Sequence, residues 1–146
     1  MNYEQFVRDN LAKKVKPNQV QIKHQLERAV QDLVTAQANL KIDATWALTI
    51  AYHAMIRAGR ALMYAEGYLP TTNQTHKTII EFIRIRLGDD FHELVAKFNR
   101  LRRRRHHFIY DSENHVNMEE AQSALETARK LIDKIKLIVK QFLCIK

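Results

Sequence analysis

A run of basic and aromatic residues from Arg102 to Tyr110 holds the side chains in this sequence that are best equipped for chemistry. Arginine keeps its proton under working conditions, so it can clamp a phosphate or a developing oxyanion. A histidine beside it titrates near neutral pH and can act as an acid or a base. Arginine, histidine and tyrosine together suffice for metal-free cleavage of RNA, in which the ribose hydroxyl attacks the phosphorus. The alternative is a solvated basic helix end that complements the helix dipole, and composition and spacing alone favour it.

The helix that carries this run has apolar residues at alternating steps of three and four, namely Phe91, Leu94, Phe98 and Leu101. Continuing that rhythm reaches Arg105, and the parallel register through Val95 and Phe98 reaches Arg102. The pattern therefore places Arg102 and Arg105 towards a neighbour, and Arg103 and Arg104 on the outer side. Burying an arginine on the core-facing side of a helix costs free energy unless the charge is paired or stays in contact with water. We therefore predict a groove there between helices or between subunits.

The remaining elements that position this run are also helical. Apolar spacing and capping residues predict helices over about 3–13, 20–40, 44–67, 75–87, 89–110 and 118–142. Asp43 is the expected N-cap of the third helix, and Asn117 with Glu120 has the spacing of a capping box. Loops are expected at 68–74 and 111–114, and no strand pattern is found. The prediction is one all-α domain over residues 1–146, an up-and-down bundle of four to five helices.

The third helix is apolar nearly all round except for His53, Arg57, Arg60 and Tyr64, spaced four, three and four apart. These residues share one stripe, which could face a functional groove. Arg57 and Arg60 could equally pair inside the bundle with Glu27, Asp32 or Glu66. His53 and His76 are more often partly buried, hydrogen-bonded side chains than ligands.

Composition favours a polyanionic partner, because the net charge is +8 and the isoelectric point is near 9.7. The single cysteine, Cys144, cannot form an internal disulfide and fits a reducing compartment, so a cytoplasmic protein is expected. No apolar run is long enough for a membrane helix, and the start of the chain shows no signal peptide. Seven histidines occur without an HExxH or CxxC motif, so neither a metal site nor a cofactor is expected.

Two blocks of residues resemble a known family. The first is Ala51-Tyr52-His53-Ala54-Met55 with Arg60-Ala61-Leu62, Gly67-Tyr68 and Thr75-His76-Lys77; the second is Arg102 to Asp111 followed by Met118-Glu119-Glu120-Ala121. In this order and separation the blocks resemble the HEPN domains (higher eukaryotes and prokaryotes nucleotide-binding). The resemblance implies a four- to five-helix bundle that often dimerises, with its motif helices meeting at a shared cleft. It also implies that catalytic members are metal-independent endoribonucleases, frequently toxins paired with a small nucleotidyltransferase antitoxin.

The family motif is an arginine, a polar residue, a few further residues and a histidine. In one register Arg105 is that arginine, His106 is the polar residue and Tyr110 takes the histidine position. In the other, Arg102 is the arginine and His107 the histidine. The first is preferred, because Phe108-Ile109-Tyr110-Asp111 resembles a branch whose motif ends in Tyr-Asp or Tyr-Glu. Tyrosine is a poor proton shuttle near pH 7, whereas a binding groove does not depend on it.

The leading hypothesis from the sequence is a cytoplasmic HEPN-type homodimer that binds RNA or nucleotide phosphates. It extends to a metal-independent endoribonuclease toxin with a nucleotidyltransferase antitoxin as partner. The alternative is a non-catalytic helical protein-interaction module; attachment to a membrane is not expected. The candidate catalytic residues are Arg102, Arg105, His106, His107 and Tyr110, and the candidate binding residues are Tyr52, His53, Arg57, Arg60, His76, Arg103 and Arg104.

Overall fold

A computed structural model describes residues 3–110 and 116–143, except for the side chains of residues 106 and 108–110. Six helices lie in these residues: α1 (Tyr3–Arg8), α2 (Gln19–Asn39), α3 (Ala44–Ala65), α4 (Thr75–Leu87), α5 (His92–Tyr110) and α6 (Met118–Lys140). The predicted all-α helical bundle is confirmed, with five long helices and a short first one. The loop predicted at 111–114 and Cys144 lie outside the described residues.

Two of the predicted helix starts are confirmed by side-chain caps. The Asp43 carboxylate accepts a hydrogen bond from the Trp46 backbone N–H at 3.0 Å, at the start of α3. The Asn117 side chain accepts one from the Glu120 N–H at 2.8 Å, at the start of α6. Each cap satisfies a backbone N–H that has no partner within the helix, and so fixes where the helix begins.

Helix α3 lies at the centre of the bundle because its sequence is apolar nearly all round. Helices α2, α4, α5 and α6 all pack against it. Gly59 allows α4 to approach closely, since a Cβ at this position would clash with Ile79 and lie 2.7 Å from Ile83 Cδ1. The close packing of α4 on α3 brings the start of α4 beside the middle of α3, where Tyr52 lies.

Two segments differ from the prediction: the helix predicted over 3–13 is shorter, and the loop predicted at 68–74 begins with a short strand. Helix α1 ends at Arg8, and Asn10 takes a positive φ of 57° that turns the chain. The next residues form a strand, β1 (Ala12–Lys14), that pairs antiparallel with β2 (Tyr68–Pro70). The prediction of no strands was wrong here because three-residue strands are too short to show an alternating pattern.

The start of α5 is shifted from the predicted Asp89 or Asp90. Gly88 has a φ of 77° and closes α4, and a 3-10 turn at Asp89–Phe91 leads into α5 at His92. This turn places the second half of α5 beside the first turn of α4.

None of the described helices is both long and apolar enough to cross a membrane.

Candidate functional site

The C-terminal half of α5 directs Arg105 between α3 and α4. Its Nη1 lies 3.0 Å from His76 Nδ1, and its guanidinium carbon lies 5.7 Å from the centre of the Tyr52 ring. The latter distance is typical of a cation–π interaction. The apolar rhythm of α5 thus predicted correctly that Arg105 faces its neighbours.

The Tyr52 hydroxyl lies 2.9 Å from the same His76 nitrogen, and Tyr52 itself is completely buried on α3. Because a guanidinium can only donate hydrogen bonds, Nδ1 of His76 is the acceptor. We therefore assign the ring proton to Nε2 from the hydrogen-bond partners. Residues from three different helices hold each other in place, and Arg105 is pre-oriented before any ligand arrives.

The electrostatics of this cluster favour the neutral form of its histidines. The pKa of His76 is lowered to about 4, with burial as the largest cause and the charge of Arg105 as the next; the charges of Arg60 and Arg102 act in the same direction. Partial desolvation, followed by the charge of Arg105, also lowers the pKa of His53. The positive charge at the site near pH 7 therefore comes from arginine and lysine side chains.

A cavity of about 420 Å³ opens beside this cluster and is lined by Gln74, Thr75, His76, Lys77, Arg102 and Arg105. We call it the α4–α5 cleft. Its lining contains three cationic side chains and no carboxylate. The first turn of α4 contributes its positive dipole end, and its N-cap, Gln74, makes no side-chain capping bond. These features suit a bound anion, above all a phosphate.

Arg102 lies on the wall of the cleft, as its position on the seam predicts. Its Nε donates a hydrogen bond to Asn99 Oδ1, one turn earlier on α5, at 3.0 Å. Lys77 on α4 is exposed on the opposite side of the cleft. Lys77 was not predicted as part of the site, although it directly follows His76, a predicted binding residue in the same turn of α4.

Arg103 is exposed, as predicted, but the prediction that Arg104 lies on the outer side was wrong. Arg104 is half-buried and forms an ion pair with Glu120 at the start of α6. The spacing of apolar residues on α5 indicates only which face of the helix packs against α3 and α4. Because α6 packs along another side of α5, a residue assigned to the outside can meet a second neighbour.

Two residues of the polar stripe on α3 have different surroundings: Arg57 contacts α2, and His53 lies next to the α4–α5 cleft. Arg57 pairs with Asp32 of α2, with its Nε 3.2 Å from Oδ2, so pairing inside the bundle is the correct reading for this arginine. Arg28 shares the same carboxylate. His53 lies next to the cleft, with its ring centre 6.2 Å from that of His76.

Some of the predicted site residues are not brought into the cleft by the described structure. His107 is exposed. The side chains of His106 and Tyr110 lie outside the described residues. No group of three or more histidine, cysteine, aspartate or glutamate side chains suited to a metal ion is found in the described part of the chain.

A scan against protein-family models finds a match to the HEPN domain over residues 22–138. This range runs from the first turn of α2 to the last turn of α6 and includes both walls of the α4–α5 cleft. Neither the curated proteins nor the solved structures gave a match.

Proposed function

The chain belongs to the HEPN family, and from that premise we propose that it binds the phosphates of RNA or nucleotides in the α4–α5 cleft. The observation that carries the proposal is the pre-oriented Arg105, held by Tyr52 and His76 at the edge of a cavity with two further cations. An ordered guanidinium loses little conformational entropy when it binds a phosphate. His76, whose lowered pKa favours the neutral form, lines the same cavity.

The proposal is for binding rather than for cleavage. Burial raises the pKa of Tyr52 to about 12, and the pKa of His76 is about 4, so neither group readily exchanges a proton near pH 7. Ribonuclease activity would depend on His106, His107 or Tyr110. It remains a prediction from the family resemblance, as do a homodimer and a nucleotidyltransferase partner.

Binding can be tested with a fluorescently labelled single-stranded RNA in the presence of chelator. We expect saturable binding that weakens as salt rises, because cations that contact phosphates release counterions. The double variant Arg102→Gln/Arg105→Gln should weaken binding strongly. The matched control Lys16→Gln/Lys140→Gln also removes two charges, but at exposed positions outside the cleft. Equal weakening by both variants would show non-specific charge attraction and contradict the proposal.

The same incubation tests the other predicted functions. Shorter fragments on a gel, abolished by Arg105→Gln, would establish metal-independent cleavage at this cleft. If the protein binds neither RNA nor nucleotides, the proposal fails and a protein-interaction module becomes the better description. Light scattering after size exclusion measures the predicted dimer independently of either result.

A further inference from the structure

A second cavity lies on the other flank of α5, between α5 and α6, with α3 beneath it. Its volume is about 450 Å³, which is within the range of roughly 300–1,000 Å³ typical of small-molecule sites. Its floor includes Leu48, Leu101 and Ala124, which are apolar, and its rim includes Lys97 and Arg100. We call it the α5–α6 groove.

The charge of this groove favours anions. Its lining contains three cations, Lys97, Arg100 and Arg104, against two carboxylates, Glu119 and Glu120. One of the carboxylates, that of Glu120, is already engaged by Arg104. Lys97 and Arg100 are both exposed, so they remain accessible to a phosphate. An apolar floor beneath exposed cations suits a base with its attached phosphate.

The cleft and the groove are connected by cations across the exposed surface of α5. Successive helical residues are about 100° apart around the axis, so Arg103 lies about 100° from Arg102, and Arg100 about 60° further on. Arg103 is exposed on this crest, between the wall of the cleft and the rim of the groove. A positive band therefore runs over α5 from one cavity to the other.

We propose that the ligand is a single-stranded RNA that crosses α5, with one nucleotide in the α4–α5 cleft and another in the α5–α6 groove. The inference rests on the proposed function, since it assigns the cleft the same phosphate contacts. A helix with its side chains is about 10–12 Å across. A free nucleotide carries its phosphates in one short cluster and cannot reach both flanks, whereas an oligonucleotide places charges along the whole band.

The test uses the full chain and oligouridylates of increasing length, with uridine monophosphate as the mononucleotide probe. We expect affinity to rise with length beyond the dinucleotide. The double variant Lys97→Gln/Arg100→Gln should lower affinity for the longer RNA and remove most of the gain in affinity that the longer RNA has over the mononucleotide. For single-stranded RNA, each phosphate contact contributes about 0.7 to the slope of the logarithm of the binding constant against the logarithm of the salt concentration. If the variant loses two contacts and binds as the unmodified protein does in 1 M salt, its affinity in 0.1 M salt should be about 25-fold lower.

Two outcomes would contradict this inference and leave the proposed function standing. One is an affinity that does not change with length. The other is a Lys97→Gln/Arg100→Gln variant that binds long RNA as the Lys16→Gln/Lys140→Gln control does, while Arg102→Gln/Arg105→Gln still weakens binding. If no RNA or nucleotide binds the unmodified protein, the proposed function and this inference both fail.

Discussion

Removing the charge of Arg105 should raise the pKa of His76. That pKa is about 4 rather than the usual 6.5, with burial as the largest cause and the charge of Arg105 second. Arg105 therefore accounts for less than half of the difference. A charge about 4 Å away is worth about 1–4 kcal/mol at effective dielectric constants between those of water and a protein surface. Since one pH unit corresponds to about 1.4 kcal/mol, we expect Arg105→Gln to raise the pKa of His76 by about one unit.

The measurement is an NMR pH titration of the His76 ring signals, assigned by comparison with His76→Gln. Arg103→Gln is the matched control, because Arg103 is a cation on the same helix whose side chain is exposed on the outer side. It should leave the titration of His76 nearly unchanged. If Arg105→Gln has no larger effect than this control, Arg105 does not lie against His76 in solution, and the α4–α5 cleft does not have this geometry.

Three further predictions concern the free energy of unfolding. Because the folded pKa of His76 lies below that of the unfolded chain, the unfolding free energy should fall as the pH drops from 6.5 to 4, by about 1 kcal/mol after screening of a half-exposed ring, as measured by urea denaturation. Gly59→Ala should destabilise the protein by about 1–3 kcal/mol, because the added methyl group clashes with Ile79; an unchanged midpoint would contradict the close packing of α3 on α4. Asp32→Asn should cost about 1–3 kcal/mol, because it weakens the partly buried contact between the Asp32 carboxylate and Arg57; a neutral result would mean that this pair is not formed.

Much of the fold could be predicted from the sequence because its helices carry strong local signals. The apolar spacing of α2 and the caps Asp43 and Asn117 gave helix positions to within one or two residues. The β1–β2 pair could not be predicted in this way. Its residues are far apart in sequence, and each strand is too short to display a period.

The candidate site could be predicted only in part, for a related reason. The rhythm of α5 correctly directed Arg105 inwards, because periodicity describes which face of a helix is buried. It could not place Arg104, whose partner Glu120 belongs to a different helix. The low pKa of His76 was also beyond the sequence, because it arises from burial and from charges on α3 and α5 that only tertiary packing brings together.

Phosphate binding in the α4–α5 cleft is tested most directly by repeating the His76 titration with saturating single-stranded RNA. A phosphate in the α4–α5 cleft would favour the charged imidazole, so we expect bound RNA to raise the pKa of His76. The ring signals of His24, exposed on α2, serve as the reference that RNA should not move. RNA that binds without changing the His76 titration would refute phosphate binding in the cleft, because its phosphates would then lie outside it.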